Sequence, residues 1–289
     1  MSIINYLELT RISGVFTAVS NVLLGYMLVY GGVEIQVPTL LPLVAVTSLL
    51  YCGGMALNDF FDFRSDMSEH PRRVIPSGRI KRANAGKFGF SLLVIACIVA
   101  SFVDITSLVT SVLISVLIII YNKFTKTILI IGALNMATIR FLNVILGTTA
   151  TISLVAGLHL QELLGALAIF MFVFGITMIS RKEQSSLRSI SILPFVLVGA
   201  VIAYVLALHI IREFPHHYIG IFITAFAFLS LLPYMRKDAM VQQLIGSFVI
   251  SIILLDAALI AGTGQIFFAI IVALLYIPSF ALSRVIRVS

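Results

Sequence analysis

The 289-residue chain is 60% hydrophobic and 11% charged, with a mean hydropathy of +1.13. Soluble domains are about 45–50% apolar and about 25% charged, which excludes that class; disordered and fibrous chains lack this much Leu, Ile, Val and Phe. The apolar runs are continuous and about twenty residues long instead of alternating over about ten, so a membrane β-barrel is excluded and an all-α, polytopic transmembrane helical bundle remains.

In chain order, the candidate spans are 12–33, 39–57, 87–103, 106–122, 128–149, 163–180, 190–211, 217–235, 240–261 and 265–283. That gives nine to ten transmembrane helices, with both termini cytoplasmic if there are ten. The start, with Glu8 and Arg11 directly before the first run, has no cationic leader and reads as an uncleaved first helix. The formal charge of +7 would raise the question of nucleic acid in a soluble protein; here it is read as a positive-inside bias, with no nucleic-acid partner. With ten spans, 17 of the 19 Lys and Arg residues fall on the cytoplasmic side, Arg212 alone falls outside, and Arg140 lies within a span. No soluble domain or linker is left over, so residues 1–289 read as a single membrane-embedded domain. Cys52 and Cys97 sit inside apolar runs with no metal-ligand spacing, as small core residues do.

The segment after the second span, Asn58-Asp59-Phe60-Phe61-Asp62-Phe63-Arg64-Ser65-Asp66, carries the most chemistry. Continued as a helix at about 100° per residue, it puts Asn58, Asp62, Asp66 and Asp59 within about 100° of one another. Like charges at i,i+4 beside hydrocarbon are destabilising unless a cation joins them, and oxygen ligands of this kind suit Mg²⁺. The alternative is a solvated acidic face balancing the basic loop that follows. Arg72-Arg73-Val74-Ile75-Pro76-Ser77-Gly78-Arg79 favours the cation reading, because a Pro-Ser-Gly turn can aim arginine forks at phosphate oxygens. Anchoring at the membrane surface suffices for Lys81, Arg82 and Lys87.

The NDxxDxxxD pattern followed by this turn, on a polytopic chain, resembles the UbiA superfamily of intramembrane prenyltransferases, over most of the length. The Glu8–Arg11 segment is similar to the family's opening helix, with Ile12 where Pro is usual; His70 and Val74 replace the more usual Arg and Pro, while Arg73 aligns with a family arginine. Tyr121-Asn122-Lys123 and Lys126 resemble the family's Tyr/Lys pair near the diphosphate. Within the superfamily, Leu134–Asn143 and Leu254–Ala257 are most similar to the UbiA-like member of the bacterial Ebo gene cluster.

The resemblance implies a helical bundle with a lateral opening to lipid, in a prokaryotic cytoplasmic membrane with the active-site loops facing the cytoplasm. It implies Mg²⁺ on Asn58, Asp59, Asp62 and Asp66, with Asn58, Asp62 and Asp66 as catalytic residues. The substrates would be a polyprenyl diphosphate and an unidentified acceptor. Substrate-binding candidates are Arg11, Arg72, Arg73, Tyr121, Lys123, Lys126, Arg140 and Asn143.

The pattern breaks at the family's second acidic motif, which reads Ile179-Ser180-Arg181-Lys182-Glu183-Gln184-Ser185-Ser186. Glu183 is the one carboxylate there; either one Mg²⁺ stays on the first motif while Arg181 and Lys182 neutralise phosphate directly as a cationic clamp, which makes Arg181, Lys182 and Glu183 further substrate-binding candidates, or ionisation chemistry has been lost. Three readings follow: prenyl transfer; a degenerate member that binds or moves a lipid-linked or aromatic precursor; or sugar transfer to a polyprenyl phosphate. An unrelated transporter is disfavoured by the lack of repeats and matched broken helices. An intramembrane Arg costs about 2.5–3.5 kcal/mol and normally faces a polar interior, which directs Arg140 toward a cavity. Asp256 is expected to make a structural hydrogen bond, and His209, His216 and His217 to be interfacial.

Overall fold

The computed structural model describes residues 3–30, 35–150, 158–180, 192–235 and 241–285, and every regular element among them is helical. The α-helices in chain order are α1 (Ile3–Leu9), α2 (Val15–Tyr30), α3 (Val37–Glu69), α4 (Arg82–Ser101), α5 (Ile105–Ile120), α6 (Leu129–Thr148) and α7 (Leu160–Ser180). They continue with α8 (Leu193–Ile210), α9 (Ile219–Leu231), α10 (Val241–Gly262), α11 (Ile266–Leu274) and α12 (Tyr276–Val285).

Among the described residues, nine stretches are long and apolar enough to cross a membrane. The expected span 217–235 is the exception. Its helix covers only Ile219–Tyr234, short of the roughly 20 residues a bilayer requires. Pro233, which lacks an N–H, lies where α9 tightens into a 3₁₀ turn at Leu232–Met235. The last expected span, 265–283, is broken into α11 and α12 at Leu275. Pro278 is the cause, because a proline ring collides with the carbonyl four residues earlier, here that of Leu274.

Two helices form the interior. The most apolar windows of α2 and α10 are 67% and 72% buried, against 17–44% for the other seven spans, whose remaining faces carry exposed Leu, Ile, Val and Phe toward lipid. From Ile250 to Gly262, α10 is buried all round, the pattern of a helix with no solvent or lipid face. One core joins α2 to α7, α8, α9 and α10, and a second joins α2 and α6 to α3, α4 and α5.

Helix α2 crosses α6 with no room for side chains. A Cβ on Gly25 would lie 1.9 Å from the Val144 carbonyl oxygen, and one on Gly147 would lie 2.1 Å from that of Val22. Small residues permit such backbone approach in membrane helices. A third, small cluster of Leu9, Ala56, Val74, Ile75, Ile80 and Ala85 pins the loop 70–81 against α1, α3 and α4. Glu8 tightens this arrangement by accepting two hydrogen bonds from the Arg79 guanidinium, the longer of 2.7 Å, and this contact raises Arg79 above its ordinary value.

Candidate active site

Helix α3 does not end where its apolar run ends. It continues unbroken through Asn58 to Glu69 and carries the acidic face expected from the sequence. Asp59 and Asp66 are buried, and Asn58 and Asp62 are half-buried.

A different cation meets each carboxylate. Arg11 Nη2 donates to Asp59 Oδ1 at 3.1 Å, Arg73 Nη1 donates to Asp66 Oδ1 at 2.7 Å, and Lys126 Nζ is paired with Asp62 Oδ1. Arg11 reaches Asp59 because the chain bends sharply behind α1, with Arg11 itself in the left-handed region at φ 47°. That conformation costs a non-glycine residue ~1–2 kcal/mol and is held here by the ion pair.

Arg73 follows the expected turn, in which the Gly78 N–H donates to the Ile75 carbonyl at 3.0 Å. Lys126 is brought round by a π-helical turn, Tyr121–Thr125, closed by its own N–H donating to the Tyr121 carbonyl at 3.0 Å. A turn this wide points Lys123 elsewhere: it is exposed and lies over the Phe124 ring at 4.8 Å. Arg72 is exposed as well, and its carbonyl accepts from Arg79 Nη2 at 2.8 Å. Of the expected substrate-binding cations Arg72, Arg73, Lys123 and Lys126, Arg73 and Lys126 therefore stand at the carboxylates, and Arg72 and Lys123 are directed away.

Beside the acidic face opens a cavity of about 170 Å³. Arg11, Asn58, Tyr121 and Asn122 line the part near the carboxylates; Thr47, Tyr51, Arg140 and Asn143 line the rest, with Leu50, Met55, Ile114, Ile118 and Met136 as apolar wall. Asn122 is fixed by donating to the Gly54 carbonyl at 3.3 Å. Asn143, expected to bind substrate, is committed to the bundle: its Nδ2 donates to the Ala18 carbonyl at 2.8 Å and its Oδ1 accepts from Thr47 at 2.8 Å. Asp256 makes the structural hydrogen bonds expected of it, both oxygens accepting from Asn21 Nδ2. His209 Nδ1 lies 2.8 Å from the Phe214 carbonyl. Arg181, Lys182 and Glu183 fall outside the described residues.

Sequence reasoning passed over Thr17, Asn21, Thr47 and Tyr51. The signal existed in the first expected span, where Ser13, just ahead of α2, and Thr17, Ser20 and Asn21 within it make a polar stripe at helical spacing in an apolar run. Tyr51 is seated by Gly14, because a Cβ there would lie 1.9 Å from the Tyr51 hydroxyl. Gly14→Ala should swing that ring away from Arg140, which sits 5.7 Å from it. We expect activity to fall about tenfold while stability changes by less than about 1 kcal/mol, read as kcat/KM against the thermal unfolding midpoint.

Among the described residues, no group of three or more His, Cys, Asp or Glu side chains is gathered into a cation cage; the aspartates share a face, but each closes on its own basic partner. The residues nevertheless fit a hard divalent cation. All candidate donors are oxygens, and Asp66 Oδ2 is buried without a hydrogen-bond partner, a carboxylate oxygen otherwise costly to leave in that state.

The fold and the site define a polytopic membrane bundle with an acidic helix end, opposed cations and an adjoining apolar cavity. Residues 18–235 match the model of the UbiA prenyltransferase family, and the chain belongs to that family. It is an integral membrane protein.

Among its relatives is the digeranylgeranylglyceryl phosphate synthase of Sulfurisphaera tokodaii, 28% identical over 150 residues, which are 52% of this chain and 54% of the relative. The enzyme of that name from Methanococcus maripaludis is 34% identical over 138 residues, 47% of this chain and 49% of the relative. The chain thus spans about half the length of the curated relatives it matches. A solved structure described as digeranylgeranylglyceryl phosphate synthase in membranes superposes with a TM-score of 0.64 at 22% identity, covering 90% of this chain and 97% of that one. A UbiA homologue from Archaeoglobus fulgidus bound to DMAPP and Mg²⁺ superposes at 0.54 with 14% identity, covering 97% and 99%. Both likenesses establish the fold.

Proposed function

We propose that this protein is an Mg²⁺-assisted prenyltransferase, one membrane domain that transfers a prenyl group from a polyprenyl diphosphate to an acceptor nucleophile. The observation that carries the reading is the acidic face of α3, with Arg73 and Lys126 set against it, next to an apolar cavity that Arg11 and Asn58 of the same cluster line. The family and the Mg²⁺- and prenyl-diphosphate-bound neighbours support it.

Asn58, Asp62 and Asp66 would hold the cation, Asp59 remaining with Arg11. When bound, Mg²⁺ supplies charge neutralisation for the diphosphate. Arg11, Arg73 and Lys126 ring the same end and neutralise the leaving group as the allylic C–O bond breaks and its electron pair departs with diphosphate. The carbocation then takes an electron pair from the acceptor, which loses a proton. Leu50, Met55, Ile114 and Ile118 receive the isoprenoid and exclude water. Arg181, Lys182 and Glu183 would contribute to phosphate binding by their place in the sequence; Tyr121 lines the cavity near the carboxylates, and Arg72 and Lys123, turned away, take no part.

The Lys and Arg residues of the loops that precede α9 on this side support placing this end in the cytoplasm, and the family resemblance supports a prokaryotic cell. The segments Leu134–Asn143 and Leu254–Ala257 support a specificity like that of the Ebo-cluster member. The lone carboxylate Glu183 in the second motif favours one further reading, binding without chemistry.

Protein in lipid nanodiscs, incubated with DMAPP, GPP and longer prenyl diphosphates, should release pyrophosphate only with Mg²⁺ and yield a prenylated product by mass. Mg²⁺-assisted binding with no pyrophosphate from any donor would instead establish the non-catalytic reading. A product carrying label from a sugar donor would establish sugar transfer.

A further inference from the structure

The end of the cavity away from the carboxylates is built around a cation. Arg140 of α6 lines it, and its guanidinium is held from α2 on two sides: Nη1 donates to Asn21 Oδ1 at 3.2 Å and Nη2 donates to Thr17 Oγ1 at 3.0 Å. Behind Asn21 stands Asp256 of α10, fully buried, whose oxygens accept from Asn21 Nδ2 at 3.1 and 2.9 Å.

The order of groups is Arg140, amide, carboxyl. Asn21 is an acceptor toward the arginine and a donor toward the aspartate, and it uses both ends of one side chain to keep the two ionisable groups apart. A direct Arg–Asp ion pair would consume the guanidinium's planar fork. Through the amide, two of its five N–H groups are engaged by named protein partners, and the cationic face remains turned to the cavity. An arginine placed at membrane depth beside a cavity marks a binding function by default, and this one is fixed on both flanks with the Tyr51 ring alongside.

We propose that Arg140 forms an oxyanion subsite at this end of the cavity, for a carboxylate or phosphate group of the acceptor, and that Asn21 and Asp256 are the positioning residues that keep its charge available. This rests on the prenyltransferase reading only in calling the ligand an acceptor.

The test is binding by the full chain in nanodiscs of three probes with one tail: octanoate, octyl phosphate and octanol. Wild-type protein should bind at least one of the anions about tenfold tighter than octanol, the worth of a charged hydrogen bond. A preference for one anion over the other distinguishes the two sources. Arg140→Gln should abolish the preference and leave octanol affinity unchanged; Arg140→Lys should retain part of it. Asn21→Asp, made together with Asp256→Asn so that an amide donor still faces the new carboxylate, sets a carboxylate directly against Arg140 and should abolish the preference with octanol affinity unchanged, a result no purely structural role gives. Should Arg140→Gln fail to fold, Arg140→Lys and this double variant decide.

Equal affinity for all three probes in wild-type protein overturns the proposal. So does a preference that survives Asn21→Asp with Asp256→Asn, or one lost in Arg73→Gln and kept in Arg140→Gln, which places the anion at the carboxylate end. Pyrophosphate release without an anion preference sinks this inference and leaves prenyl transfer standing. An Arg140-dependent preference without pyrophosphate release does the reverse.

Discussion

Asp66→Asn is expected to lower Mg²⁺-dependent pyrophosphate release by at least about a hundredfold in kcat, the usual scale for removing one group that stabilises developing negative charge. The substitution is nearly isosteric, and its amide oxygen still accepts from Arg73, so the loop 70–81 keeps its anchor. Val74, Ile75 and Ile80 hold that loop independently through the small core beneath α1. What disappears is the charge and the orphaned oxygen Oδ2. The variant should therefore remain monodisperse, with stability lowered by about 1–3 kcal/mol, and should no longer respond to Mg²⁺. Turnover close to wild type would remove α3 from the chemistry. Among the arginines of the turn, Arg73→Gln should be more damaging than Arg72→Gln, since only Arg73 is directed at Asp66.

Gly25→Ala and Gly147→Ala should each destabilise the bundle by about 1–3 kcal/mol or more, because the added methyl meets backbone that no rotamer change can move. To admit it, α2 and α6 must separate. Their separation would part Asn21 and Thr17 from Arg140, and the Ala18 carbonyl from Asn143. Thermal unfolding midpoint and pyrophosphate release should therefore fall together, unlike Gly14→Ala, where activity falls alone. Gly199→Ala is the control: nothing lies within 4 Å of its added carbon, and helix propensity predicts a gain of about 0.5–1 kcal/mol.

The spans were legible because apolar runs of bilayer length have few other solutions, and the acidic face because a helix period is a fixed angle. α3 turned out as the angular argument required, with Asn58 and Asp62 half-buried and Asp59 and Asp66 inside. Composition did not foretell the short α9, whose end follows from where Pro233 falls, or the break before Pro278. Nor could spacing separate Lys123 from Lys126, because a π-helical turn changes which residues share a side. The partners of the aspartates come from sequence distances of 7, 48 and 64 residues, and the Asn21–Asp256 contact from 235. Single-sequence periodicity carries no information at that range. Arg140 was recognisable as an anomaly; what made it intelligible was a stripe on another helix.

The length of α3 sets where the reacting groups stand. Its 33 residues extend about 50 Å at 1.5 Å per residue, well beyond the roughly 30 Å of hydrocarbon. Asp62 and Asp66 are therefore mounted on the protruding part of the rod whose apolar part sits in the bilayer, with no loop between to absorb movement. One residue inserted between Leu57 and Asn58 would advance them by about 1.5 Å and rotate them by about 100°, away from Lys126 and Arg73. The bilayer itself thus serves as the fixed reference for the site, and a lipid-soluble tail and a charged headgroup meet at a height decided by residue count.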